Sequence, residues 1–116
     1  LLERIIKLAV KKRLKELGPE CYSHWPVQIG MGDPCLDCHG IYQNHGFAIE
    51  TKAPGKKPTR LQWMTIEKIQ AAGGLVFIID SLEAARALFS DYPPPIAEIT
   101  RPLRPRLRVV ARRANH

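Results

Sequence analysis

The sequence predicts an α/β fold, a sheet with helices covering it, and three observations carry that expectation. The run Leu75-Val76-Phe77-Ile78-Ile79, stopped by Asp80, is continuously apolar, as a strand buried on both faces requires. Residues 1–17 and 59–72 carry helical signals. Residues 35–43 and 46–53 are short alternating or apolar runs around the turn cluster Asn44-His45-Gly46, the pattern of a β-hairpin.

Each element follows in order. In residues 1–17, Leu2, Ile6, Val10, Leu14 and Leu17 recur at helical spacing, and Gly18-Pro19 is a stop signal. The opposite face is Glu3, Lys7, Lys11 and Lys15, one carboxylate heading a column of lysines a turn apart. On an isolated helix, that column reads as a solvated face with an i,i+4 ion pair. Residues 20–34, rich in Pro, Gly and aromatics, read as a bent, extended segment with room for one short strand. After the hairpin, Ala53-Pro54-Gly55-Lys56-Lys57-Pro58 sustains neither period and is a loop. Thr59-x-x-Gln62 is a capping-box pattern, and Gly73-Gly74 closes the helix it opens. Ser81 can cap a third helix running to about Phe89. Beyond Tyr92, Pro93-Pro94-Pro95 with Pro102 and Pro105 argues for an extended tail. The order is therefore helix, strand, hairpin, helix, strand, helix, tail, with a domain over residues 1–92 and a Pro/Arg-rich basic tail over 93–116.

At 116 residues, 45% hydrophobic and 25% charged, the chain has the size and make-up of one small domain and no room for two. Folding at this length hides ~65% of the unfolded surface, so a core can form without disulfide or metal staples. No apolar run approaches the roughly 18 residues of a membrane span, and the first stretch holds too many Lys and Arg for a signal peptide. A soluble, intracellular protein is expected, with no membrane partner. Cys21, Cys35 and Cys38 are odd in number and too few for the disulfide framework of a small secreted domain, which fits a reducing compartment. The formal charge is +7, with 12 basic and 10 acidic side chains in residues 1–92 and six Arg against Glu98 alone in 93–116. Such a balance favours polyanions such as nucleic acid.

Glu50-Thr51-Lys52 sets a carboxylate and an ammonium on one face of a strand, roughly 6.5–7 Å apart along it, so both reach one phosphate. Asp37 precedes Glu50 by thirteen residues. If the hairpin is centred between Gln43 and Asn44, the two acids oppose each other at about 5 Å between Cβ atoms. Like charges so close call for a cation between them. A hard divalent ion such as Mg²⁺ suits carboxylate oxygens, the backbone carbonyl of Thr51 and several waters. It would orient or deprotonate a water and offset charge building on a phosphodiester, with Lys52 as electrostatic partner. Apolar Phe47-Ala48-Ile49 leads straight into Glu50, so a half-buried strand delivers this carboxylate. A surface Glu and Lys on an edge strand is the plain alternative.

Together, Leu36-Asp37, Gly40, the stretch from Phe47 through Glu50-Thr51-Lys52-Ala53-Pro54-Gly55-Lys56 to Gln62, Ala71-Ala72-Gly73-Gly74 and Val76-Phe77-Ile78-Ile79-Asp80 resemble the VRR-NUC branch of the PD-(D/E)XK nucleases. The likeness extends to phage-encoded, Holliday-junction-resolvase-like endonucleases, and covers residues 3–90. It implies a restriction-endonuclease-like αβββαβ core with a central mixed sheet flanked by helices. It further implies a structure-specific endodeoxyribonuclease that uses Mg²⁺ or Mn²⁺, acts on branched DNA as a homodimer, and works in the cytoplasm, the host cell's if the gene is phage-borne. Carried over residue by residue, Asp37 matches the metal-binding Asp, Glu50 and Lys52 the E-x-K pair, Gln62 the Gln opening the next helix, and Glu3 the acid of the first helix. The common family form has Pro before the Asp; here Leu36 stands there, and Asp33-Pro34 offers a rival carboxylate. Spacing to Glu50 and Gly40 favours Asp37, with Asp33 as fallback.

Two of these residues have structural roles open to them as well. Gln62 can be the partner in a helix cap worth about 0.5–2 kcal/mol at the Thr. Glu3 can serve the helix dipole. Cys35-Leu36-Asp37-Cys38-His39 matches the C-x-x-C-H pattern of haem attachment and, with His45, a zinc pattern. No export signal accompanies it, and a strand sends Cys35 and Cys38 to opposite faces, so buried cysteines are expected instead. His24 and His39 are expected to pack or hydrogen-bond. DNA contacts are assigned to Lys7, Lys11, Lys56, Lys57 and Arg60, which would give affinity and salt sensitivity without sequence choice. The rival from another class is a non-catalytic nucleic-acid-binding module on the same fold.

Overall fold

The computed structural model describes residues 2–27 and 34–90. The expectations for Asp33 and for the tail over 93–116 lie outside the described residues. The elements are α1 (Glu3–Glu16), a single 3-10 turn (Gly18–Glu20), β1 (Cys21–His24), β2 (Cys38–Tyr42), β3 (His45–Thr51), α2 (Arg60–Ala71), β4 (Leu75–Ile79) and α3 (Leu82–Arg86). They form a compact α/β domain around a four-stranded mixed sheet, ordered β1-β2-β3-β4. β1/β2 and β2/β3 are antiparallel, and β3/β4 is parallel, joined through α2.

The hairpin turn fixes the position of the site. Gln43 and Asn44 take φ of 48° and 72°. Two successive left-handed residues twist a two-residue turn the way the strands twist. The register that results pairs Cys38 with Ile49 and Tyr42 with His45, so the hairpin is centred between Gln43 and Asn44. β1 then packs so closely that a Cβ on Gly40 would overlap the Tyr22 carbonyl oxygen, and only glycine fits.

Side chains alternate along β3 and build two cores. Phe47 and Ile49 join Ile6, Val10 and Leu14 of α1, Ile79, and Leu88 and Phe89 beyond α3. Ala48 joins Leu36 and Ile66 of α2 on the opposite face, with Ile69, Val76 and Ile78 alongside. Phe89 anchors the larger core through ring contacts with Tyr42, Phe47 and Phe77 at 4.7, 5.2 and 5.1 Å. It does so at φ 61°, a backbone region that is strained for a bulky residue and is held here by its packing.

Two expectations are corrected. β4 was expected to be buried on both faces. Helices do cover both, yet β4 has a single sheet neighbour among the described residues, and Leu75 to Ile78 are only half-buried. The strand that is buried throughout its second half is β3, from Phe47 to Thr51. The third helix is also shorter than expected, ending at Arg86, with turn hydrogen bonds carrying the chain to Ser90. Its Ser81 cap is as expected, Oγ accepting from the Ala84 N–H at 3.0 Å.

Candidate active site

The hairpin register delivers Asp37, one residue before β2, opposite Glu50 near the end of β3. The Asp37 N–H donates to Glu50 Oε1 at 3.3 Å. The Asp37 carboxylate turns toward the neighbouring residue: its Oδ2 accepts from the Thr51 N–H at 2.9 Å and the Thr51 hydroxyl at 2.7 Å. Asp37 sits where the strand pair ends, so groups from both sides of the sheet reach it. From α1, Lys7 Nζ stands 3.7 Å from Asp37 Oδ1.

Glu50 shares its sheet face with Ala48, and α2 covers that face. Its side chain is buried, 4% exposed, and Lys52 Nζ lies 3.6 Å from its Oε2. Gln62 Nε2 donates to the same oxygen at 2.9 Å. Gln62 also completes the capping box: its Oε1 accepts from the Thr59 N–H at 2.9 Å, and its own N–H donates to Thr59 Oγ1 at 3.2 Å. The cap and the contact with Glu50 are made by opposite ends of one amide, so neither excludes the other.

Burial pushes the Glu50 carboxyl up to about 7 from its usual 4.5, with the Asp37 charge adding to the rise and Lys52 opposing it. A carboxyl poised near neutrality inside a polar cluster is a common mark of a functional site. The two ammonium contacts, at 3.6 and 3.7 Å, are longer than the usual hydrogen-bond range, so they balance charge without locking the acids. Asp37, Glu50 and the Thr51 carbonyl are hard oxygen donors. Mg²⁺ binds through one or two carboxylates and keeps several waters, so these groups fit it in kind and number. Among the described residues no group of three or more His, Cys, Asp or Glu could hold a metal. Glu3, the expected third acid at the start of α1, is thus not gathered with Asp37 and Glu50.

The other predicted residues fall into two sets. Lys7 was expected on a DNA-facing column, with an ion pair to Glu3 as the plain alternative; its Nζ stands beside Asp37, because α1 crosses the sheet end that carries the acids. Lys11 lies over the Trp25 ring, Nζ 4.9 Å from its centroid. Lys56 and Lys57 are exposed on the loop after β3, and Arg60 is exposed at the start of α2. Thr51 was assigned only a backbone role, and its hydroxyl bond to Asp37 was missed; an alternating strand pattern says nothing about a contact made past the strand end.

Of the two cysteines in the C-x-x-C-H run, Cys38 is buried as expected, whereas Cys35 precedes β2 and is only half-buried. Cys38 opens β2 in the core, and burial pushes its thiol up to about 12. The three cysteines are free thiols, and His39 packs edge-on against His24 with ring centroids 5.5 Å apart. No helix among the described residues is long and apolar enough to cross a membrane. Scans against models of known protein families and against curated protein sequences returned no match for this chain.

Proposed function

We propose that this chain is a metal-dependent, structure-specific DNA endonuclease on a restriction-endonuclease-like fold of the VRR-NUC type. Mg²⁺ or Mn²⁺ would serve it, with branched DNA such as Holliday junctions as substrate. The observation that carries the reading is the convergence on Glu50: Asp37 across the hairpin, Lys52 two residues on and Gln62 from α2 all meet it within 3.6 Å. The order of helices and strands along the chain also supports it.

In this reading Asp37, Glu50 and the Thr51 carbonyl hold the divalent ion. When bound, the ion activates a water and offsets charge on the scissile phosphate. Gln62 fixes the orientation of the Glu50 carboxylate, and the Thr51 hydroxyl and N–H fix that of Asp37. Lys52, with its side chain only 14% exposed, holds a positive charge beside the reacting phosphate at little further ordering cost. Hydrolysis joins the water oxygen to phosphorus, breaks one P–O ester bond and delivers the water's proton to the leaving oxygen. A homodimer belongs to the same reading, since a junction presents paired strands and one chain offers one E-x-K site.

Asp37→Ala, Glu50→Ala and Lys52→Ala should each abolish metal-dependent cleavage of a labelled four-way junction while the circular dichroism spectrum stays native. A Lys52→Ala protein that cuts like wild type would overturn the assignment. One observation favours the rival, a nucleic-acid-binding module without catalysis: Lys7 and Lys52 already balance both acids. Adding Mg²⁺ or Mn²⁺ to a preformed DNA complex separates the two, because only a nuclease converts binding into nicking.

A further inference from the structure

A groove at the far end of α1 lies apart from the acid pair and is lined in part by Leu14 and Cys21 of the main core. Lys11, Lys12 and Lys15 of α1, Gly18 after it, and Ser23 and Trp25 on the β1 side line about 640 Å³. That lies within the ~300–1,000 Å³ of small-molecule sites. No acidic side chain lines it among the described residues, and none of its three lysines makes an ion pair there. Three uncompensated ammonium groups around one concavity repel each other and attract an anion.

The indole adds a second kind of recognition. Trp25 is half-buried against the main core, which holds the ring in place, and Lys11 Nζ sits 4.9 Å from its centroid. A fixed aromatic face beside mobile ammonium groups is what a single nucleic-acid strand uses: the base stacks and the phosphates meet the lysines. The lysine column of α1 leads from the groove back toward the acids. Lys7 touches Asp37, and Lys11 and Lys15 follow at one-turn steps of about 6 Å of rise, comparable with the distance between successive phosphates.

We propose that this groove binds an unpaired nucleotide of the strand that runs past Asp37 and Glu50. Its base stacks on Trp25 in place of the Lys11 ammonium, and the flanking phosphates engage Lys11, Lys12 and Lys15. The proposal rests on the nucleic-acid reading of the site and narrows it: among branched DNAs it selects those with unpaired bases, such as flaps, over plain duplex and over a fully paired four-way junction. A base paired inside a duplex has no free face for the indole until it is unstacked, which costs energy.

Trp63→Phe leaves Trp25 as the only indole in the chain. In chelator, with no divalent ion, titrating an oligothymidylate into this protein should quench Trp25 emission saturably, and a blunt duplex should not. Trp25→Leu should weaken strand binding by ~5–150-fold. Because that change also touches the core, Lys12→Gln with Lys15→Gln provides an independent surface variant. It should lower the slope of log affinity against log salt by about 1.4. Absent quenching, equal quenching by the duplex, or wild-type affinity and salt slope in the double-lysine variant overturns the groove. Adding Mg²⁺ together with a labelled four-way junction tests the nuclease separately. Strand binding without cutting leaves the groove standing and ends the nuclease reading. Cutting without Trp25 quenching does the reverse.

Discussion

The two faces of the sheet are built unequally. Under α1 and α3, rings and branched side chains from Ile6 to Phe89 form a continuous buried cluster. Under α2, Leu36, Ala48 and Ile66 are the only apolar residues fully buried among those described, and Leu61, Trp63 and Met64 of that helix remain exposed. The polar cluster of Glu50 and Gln62 lies on this thinner side. Burying a carboxylate there opposes folding, and the larger cluster on the opposite face offsets it. The larger apolar cluster and the Glu50–Gln62 polar cluster thus lie on different faces of one strand, β3.

The largest test of that contrast is unfolding. Phe89→Ala removes three ring contacts from the thick face and should cost about 3–5 kcal/mol. Ile66→Ala on the thin face, where half-exposed neighbours can relax, should cost about 2 kcal/mol, the low end for such truncations. Urea denaturation measures both. Equal losses would mean the α2 face is as tightly packed as the other.

Glu50 gives a pH test of the same contrast. Its folded-state carboxyl lies near 7 against 4.5 for the ordinary group, so the native state holds the proton more tightly than the unfolded chain. Between those values the unfolded chain loses its proton first, and native stability falls as pH rises. In chelator, the urea midpoint of wild type should therefore drop from pH 5 to pH 8. Glu50→Gln, with nothing to ionise there, should lack that part of the fall. Mg²⁺ at pH 8 should raise the wild-type midpoint and leave that of Glu50→Gln unmoved. A wild-type midpoint with the same pH profile as Glu50→Gln would show that burial does not strain this carboxylate.

These contrasts were only partly legible in the sequence. The thirteen-residue spacing of Asp37 and Glu50 works because a two-residue turn at Gln43-Asn44 fixes the pairing arithmetic of a hairpin, which is local information. The Thr59-x-x-Gln62 cap was legible for the same reason. The pairing of Lys7 with Asp37 was not, because it depends on how α1 crosses a sheet assembled from distant segments. Strand order hid β4 in the same way: an apolar run is equally compatible with a central strand and with an edge strand that helices cover on both sides. Lys11 over Trp25 joins a helix to an irregular segment, a contact no periodicity encodes.

The smallest expected effect separates the two duties of Gln62. Thr59→Ala removes the hydroxyl that accepts the Gln62 N–H but leaves Gln62 Nε2 on Glu50. It should cost about 1 kcal/mol of stability, with cleavage near wild type. Gln62→Glu keeps an oxygen for the Thr59 N–H and replaces the donor to Glu50 with a second carboxylate oxygen. Two acids at that distance repel, so Glu50 should ionise less readily and cleavage at pH 7 should fall on the order of tenfold while the cap persists. The pair of variants therefore predicts opposite rankings in two assays, Thr59→Ala the less stable and Gln62→Glu the less active. If both lower cleavage alike, Gln62 acts only through the helix it caps, and the thin face contributes one fewer group to the chemistry.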